Sequence, residues 1–340
     1  MTDLLVAGGG PAGLATALHA ARAGLEVVVW EPRPEVIDKA CGEGLMPGAV
    51  GALTALGVDP VGETLTGIRY VAGRHRAETS FRAGPGRGVR RTTLHAALRA
   101  AVRSTGIDIV QRAARDVRQD DSGITVDGTR CRYLVAADGL HSPIRRALGL
   151  DGRVAPHRRY GLRRHVGIAP WTSLVEVHWA EHAEAYVTPV APDLVGIALL
   201  TSTRGSFEQQ FAGFPELRDR VGASELGAVL GAGPFRQRAR RRVAGRVLLV
   251  GDAAGYVDAL TGEGVALGLA QGRAAAAALA LDDPQRYEQD WHMITRRYRW
   301  LTASLLGASR WGPVRHALVP AAVGLPGVFG AAVNSLAGPA

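Results

Sequence analysis

Gly8-Gly9-Gly10-Pro11-Ala12-Gly13 has the residue types and spacing of G-x-G-x-x-G. Glycines at that spacing permit a tight turn, close approach of the backbone to a pyrophosphate, and tight packing of a helix on a strand. The apolar run Leu4–Ala7 leads into the turn, and the Ala/Leu-rich stretch Pro11–Ala23 follows it. The turn therefore joins a buried strand to a helix, whose first N–H groups and partial positive charge face the phosphates. Glu31 ends the next apolar run, eighteen residues after Gly13. An acid there accepts from ribose hydroxyls and disfavours a 2′-phosphate, so FAD or NAD fits better than NADP.

Two further segments have a comparable form. In Tyr133–Arg145 an apolar strand runs into Asp138-Gly139, with Ser142 and Arg145 at fixed offsets. In Gly245–Gly255 a buried strand delivers Gly251-Asp252 at its carboxyl end, where ligands bind in open α/β sheets. An aspartate there accepts from polyol hydroxyls. A helix start near Gly262-Glu263-Gly264 would stabilise negative charge on a ring edge.

The elements that must position these motifs are legible in outline. Glu26–Glu31 and Arg246–Val250 read as buried strands, and Gly24 as the stop of the first helix. Helices are expected over Gly44–Leu56, Thr92–Arg103, Ser206–Val221, Gly262–Leu281 and Pro284–Leu306. Strands are expected over Leu65–Ala72, Glu78–Phe81 and in short pieces through Ile107–Val135, with a turn at Asp120–Gly123. Tyr160–Leu200 reads as a more amphipathic sheet. The fold class is α/β, with one domain built from residues 1–62, 87–155 and 243–300. A second, mostly antiparallel domain takes 63–86 and 156–242, and C-terminal helices take 301–340.

Composition narrows the function classes. At 340 residues, 47% hydrophobic and 21% charged, the chain is globular rather than disordered. Its net charge of +9 is nearly all arginine, since Lys39 is the only lysine; with no nucleic-acid module in view, no nucleic-acid partner is expected. The basic run Arg236–Arg242 has no interleaved aromatic. Cys41 and Cys131 make neither a disulfide framework nor a zinc site, which suits a reducing cytoplasm. The amino terminus does not read as a signal peptide. Ala317–Ala340 has no charge and is long enough to span a bilayer, but Pro320, Pro326 and Pro339 break it up. Packed terminal helices are expected, and peripheral membrane contact stays open.

Taken in order, the three motifs resemble the class A flavoprotein monooxygenase superfamily, and within it the geranylgeranyl-reductase-like branch, over essentially the whole chain. The resemblance implies a glutathione-reductase-type FAD domain interleaved with a substrate domain. It places Gly8, Gly10, Pro11, Ala12, Gly13, Glu31 and Arg33 on the ADP half of FAD, with Arg91 beside them and a backbone contact to adenine near Val117. It places Asp138 and Gly139 on the phosphate side, linked to NAD(P)H use, and Gly251, Asp252, Gly262, Glu263 and Gly264 on the riboflavin half. Typical hydroxylases have His and Pro where this chain has Gly255 and Ala259. Gly255, Thr261–Gly264 and the loop Ala40-Cys41-Gly42-Glu43-Gly44 instead resemble the reductase branch, whose aromatic lipid motif is poorly matched around Tyr186 and Pro189.

The resemblance puts Cys41 and Glu43 beside the flavin ring, as the candidate catalytic residues. Asp258 reads as a helix cap. His165, His178, Trp179 and Tyr186 read as packing or surface, and strand alternation keeps His178 and Trp179 from facing one pocket together. The resulting expectation is an NAD(P)H-using, FAD-dependent monooxygenase. It would hydroxylate a small aromatic or polyketide-like substrate through a flavin C4a-hydroperoxide. The alternative is a flavin-dependent reductase of isoprenoid or lipid C=C bonds, and a minor one is a non-catalytic FAD-binding protein. The oligomeric state is not readable.

Overall fold

A computed structural model describes residues 2–153, 158–260, 262–309 and 311–338. The chain begins with β1 (Thr2–Ala7), α1 (Pro11–Arg22), β2 (Val27–Trp30), β3 (Gly44–Leu45) and α2 (Pro47–Ala55). Next come β4 (Glu63–Leu65), β5 (Gly67–Ala72), β6 (His75–Ser80), β7 (Gly86–Gly88) and α3 (Arg91–Ser104). Then follow β8 (Asp108–Val110), β9 (Val117–Asp120), β10 (Gly123–Val126), β11 (Thr129–Ala136) and α4 (Pro143–Ala147). The long strands β12 (Tyr160–Gly167), β13 (Leu174–Trp179), β14 (Ala183–Ala191) and β15 (Leu194–Thr201) precede α5 (Phe207–Phe211) and α6 (Pro215–Val221). Short strands β16 (Glu225–Leu226), β17 (Leu230–Ala232), β18 (Gln237–Arg238), β19 (Val243–Ala244), β20 (Val247–Leu249) and β21 (Gly255–Tyr256) follow. The chain closes with α7 (Gly264–Ala280), α8 (Arg286–Ala308), α9 (Gly312–Gly324) and α10 (Pro326–Ala337).

The first sheet has the parallel core order β20-β11-β1-β2-β8. Its central strands β20, β11 and β1 are mostly buried, as parallel strands covered by helices must be, while β8 at the edge is exposed. Register puts Ala7 beside both Trp30 and Ala136, and Ala136 beside Leu249. Gly8, Glu31, Ala137 and Val250 therefore leave the sheet at one edge, and the three motifs meet there. The second sheet, β16-β12-β15-β14-β13-β5-β6, is antiparallel except where β5 runs beside β13. A small sheet β3-β7-β4 stands between the two.

Two expectations shift. The helix expected over Gly44–Leu56 starts at Pro47, which sits at its first turn, because Gly44 and Leu45 pair with β7. Pro320 lies inside α9 rather than ending it, and the chain instead turns at Leu325, by 102° into α10. Both helices pack on the edge of the second sheet. Phe329 meets Tyr70 edge-on at 5.0 Å, and Asn334 Nδ2 donates to Ser80 O at 3.0 Å. Among the described residues no single helix is long and apolar enough to cross a membrane.

Candidate functional site

A cavity of about 460 Å³ runs from the glycine turn to α10. At its first end Gly8, Gly10, Pro11 and Ala12 form the wall. Gly8 has φ +111°, and a Cβ there would lie 2.4 Å from Ala137 O. Gly13 lies behind the wall; its Cβ would come within 2.0 Å of Gly8 O, so it serves the packing of α1 under the turn. Glu31 is buried and accepts from Gly9 N at 2.8 Å and from Arg33 Nε at 2.7 Å. Burial works to raise its carboxyl, but Arg33 and the two backbone N–H groups outweigh it and hold it below the usual carboxylate range.

His95 went unnoticed in the sequence. It is fully buried; its Nδ1 accepts from Ile37 N at 3.0 Å, and its Nε2 lies 2.8 Å from Gly9 O. Only the neutral Nε2–H tautomer serves both partners. Burial, reinforced by Arg91 and Arg99, lowers its pKa to about 4 against the pull of Gly9 O. The imidazole thus braces the glycine turn from behind.

Asp138, Gly139, Gly251 and Asp252 line the middle of the cavity. Burial pushes both aspartates up. Arg145 ties the two motifs together: Nη1 donates to Ala253 O at 3.0 Å, Nη2 to Leu140 O at 3.2 Å, and Nε to Asp151 Oδ1 at 2.6 Å. Gly262 and Gly264 also line the cavity, and Glu263 sits between them at the start of α7. Thr261 lies outside the described residues.

Cys41 and Glu43 both line the cavity. Glu43 is buried with φ +58°. Its Oε1 accepts from Arg91 N at 2.8 Å and its Oε2 from His165 Nε2 at 2.7 Å. Arg163 Nη1 lies 3.0 Å from His165 Nδ1, and its Nη2 is bonded to Asp38. A guanidinium only donates, so His165 carries its proton on Nε2. His165 was expected to be packing or surface, but it joins the second sheet to the Glu43 loop. Burial pushes the Cys41 thiol up, which tells against a nucleophilic thiolate. Its Sγ accepts from Glu43 N at 3.4 Å and steadies the loop.

The far end is apolar. Ile68, Tyr70, Val177, Leu200, Phe235 and Leu260 line it, with Val333, Leu336 and Ala337 of α10 beyond. Tyr186, expected to be packing or surface, faces this end and donates its hydroxyl to Leu260 O. Trp179 and His178 do not line the cavity; His178 Nε2 pairs with Glu176 at 3.2 Å. Asp258 does not cap α7. It is buried, and it is bonded to Arg159 at 3.0 Å and accepts from Leu260 N at 3.1 Å. Burial raises its carboxyl to about 6 against the pull of Arg159. Val117 is also corrected: it pairs with Val126 at the outer hairpin, while Ala113 and Ala114 line the cavity. The strand pairing of β9 carries Val117 away from the opening.

The residues present fit FAD. Arg91 is buried with Nη1 lacking any partner, and Asp138 Oδ1 is likewise unpaired. A pyrophosphate would satisfy the first and a hydroxyl or water the second.

The comparisons agree. A family model described as "FAD binding domain" matches residues 1–218. The chain is 34% identical over 332 residues to menaquinone reductase of Mycobacterium tuberculosis, covering 84% of this chain and 78% of that one. It is 28% identical to digeranylgeranylglycerophospholipid reductase 1 of Methanothermobacter thermautotrophicus, over 83% of this chain and 78% of the relative. It is 30% identical to 3-hydroxybenzoate 6-hydroxylase 1 of Aquipseudomonas alcaligenes, over 64% of this chain and 62% of the relative. The solved structure of flavin-dependent brominase Bmp2 shares the fold, with TM-score 0.80 at 18% identity over 99% of this chain and 93% of that one. The motifs, the cradle and these likenesses place the chain in the FAD-binding-domain family of class A flavoproteins, as an FAD-dependent oxidoreductase.

Proposed function

We propose that the protein is a flavin-dependent reductase that saturates a C=C bond in the isoprenoid part of a lipid. The observation that carries this reading is the far end of the cavity. Its walls are aliphatic and aromatic, and α10 closes it. Trp311, Val314, Val323, Leu325 and Val328 are exposed on α9 and α10. Arg315, the only charged residue among the described residues of these helices, turns inward to Glu184 at 2.7 Å. An uncharged outer surface beside an apolar cavity suits a substrate that enters from a lipid phase. The two reductase relatives favour the same reading over the monooxygenase that the sequence motifs put first.

Gly8, Gly10, Pro11, Ala12, Glu31, Arg33, Arg91, Asp138 and Asp252 would hold FAD. When bound and reduced, FAD supplies the hydride. Saturating the bond also takes one proton at the neighbouring carbon. Of the acids that line the cavity, Glu43 is the one not given to the cofactor, and we assign it that proton. Arg91 N and His165 Nε2 fix the direction of its carboxyl, and Arg163 fixes the tautomer of His165. The apolar walls hold the chain of the lipid and exclude water.

The second reading is hydroxylation of a small aromatic, favoured by the likeness to the hydroxylase and by Tyr70, Tyr186 and Phe235 in the cavity wall. The test is to give the FAD-loaded protein a reductant, labelled oxygen, polyisoprenoid quinone in vesicles and a small aromatic acid, then weigh the products. A gain of two hydrogens with no label supports the reductase. Labelled oxygen in the product of an aromatic acid, with the polyisoprenoid unchanged, overturns it.

A further inference from the structure

A second cavity, of about 480 Å³, lies behind the Gly251-Asp252 turn, between the 236–242 segment and α8. Five arginines line it: Arg236, Arg238, Arg242, Arg296 and Arg299. The only carboxylate among its lining residues is Asp252. Arg242 is paired with Glu288 at 3.0 Å, and among the described residues Arg238, Arg296 and Arg299 form no ion pair. Arg299 is held below the usual guanidinium value by burial and then by Arg238. Arg242 is lowered by burial and by Arg299, against the pull of Glu288. Like charges gathered around one cleft cost free energy that a bound anion returns.

The aromatics missing from the 236–242 run come from across the cleft. Arg242 stacks on the Trp291 ring at 3.8 Å and Arg299 approaches it at 5.1 Å. Arg242 Nε and Trp291 Nε1 are buried without partners. Trp300 stands at the rim, 68% exposed, as a free face for a planar base. Gly264, the first residue of α7, adds the positive end of that helix. Gly251, Asp252, Tyr256, Gly264 and Gly268 line both cavities, so the walls of the two are continuous.

We propose that this cleft binds an adenine nucleotide bearing several phosphates, with the arginines taking a 2′-phosphate and Trp300 stacking the base. The class includes the phosphorylated nicotinamide dinucleotides. The two ends of the protein then select oppositely: acidic Glu31 disfavours a 2′-phosphate in the first cavity, and the arginine surplus favours one in the second. The assignment holds whichever substrate the first cavity takes.

The test uses the FAD-loaded full chain with NADP⁺ as probe, read by calorimetry and tryptophan fluorescence at fixed salt. NAD⁺ and phosphatidylglycerol vesicles are run beside it. NADP⁺ is expected to bind at least about tenfold tighter than NAD⁺, roughly one charge-assisted contact. Arg238→Ala/Arg299→Ala is expected to weaken NADP⁺ about tenfold or more, with FAD content and Tm unchanged. The single variants Arg238→Ala and Trp300→Leu, at exposed positions, keep the test valid if the double variant fails to fold; each should weaken NADP⁺ alone. The proposal is overturned if NADP⁺ does not bind, binds no tighter than NAD⁺, or binds the variants as tightly as wild type. Loss of vesicle binding in the variants, with NADP⁺ never bound, would give the arginines to a lipid headgroup instead.

Discussion

Replacing His95 by leucine isolates the brace behind the glycine turn. The substitution leaves two buried groups, Ile37 N–H and Gly9 C=O, without the partners they have at 3.0 and 2.8 Å. Each unsatisfied group costs about 1–3 kcal/mol, so the variant should lose about 2–6 kcal/mol. For a chain of 340 residues that is a fall in Tm of at least about 3 °C. The pH dependence separates this account from a simple packing defect. The folded pKa of His95 is lowered from 6.5 to about 4, so below pH 6.5 the unfolded chain binds the proton more readily. The brace is therefore fully present above the unfolded pKa and is lost as pH falls through the folded value. Integrated, the shift amounts to about 3 kcal/mol. Thermal and urea unfolding of both proteins from pH 8 to pH 4 would show the gap between wild type and His95→Leu narrowing by that amount. His19 carries a similar shift, but it is present in both proteins and cancels in the difference. A gap near zero at pH 7.5, or one that does not change with pH, would refute the reasoning.

Arg91→Ala keeps the backbone N–H on Glu43 but removes the unpaired guanidinium; FAD dissociation constants should rise about ten- to hundredfold in a fluorescence titration. Unchanged affinity would remove Arg91 from the cofactor site. Gly13→Ala drives a Cβ to 2.0 Å from Gly8 O, so the purified variant should lack a flavin spectrum, and wild-type FAD content would show that the turn yields freely. Glu43→Gln leaves only one acceptor for two donors; FAD content should hold while single-turnover product formation slows at least about tenfold. An unchanged rate would take the proton-donor role from Glu43. Leu325→Glu/Val328→Glu places charge on the exposed face of α9 and α10, and vesicle co-sedimentation should fall sharply. Equal sedimentation would mean that this face does not meet lipid.

Local patterning determined the strand–turn–helix unit, Glu31 and the Gly251-Asp252 turn, because each depends on neighbours within one or two elements. Apolar runs set the strands, and glycine and proline set the turns between them. The rest depended on contacts between distant parts of the chain. His95 reaches Gly9 across 86 positions and His165 reaches Glu43 across 122, and nothing in either residue's own neighbourhood marks it. Pairing of β9 with β10 took Val117 away from the cavity, and the half-buried Arg159 drew Asp258 from helix capping into an ion pair. The aromatics facing the Arg236–Arg242 run stand on α8, some fifty positions later. Backbone preference and hydrophobic period act over a few residues and are written in the chain itself. A side-chain pair exists only after two sheets and their helices have packed, so only the tertiary structure decides it.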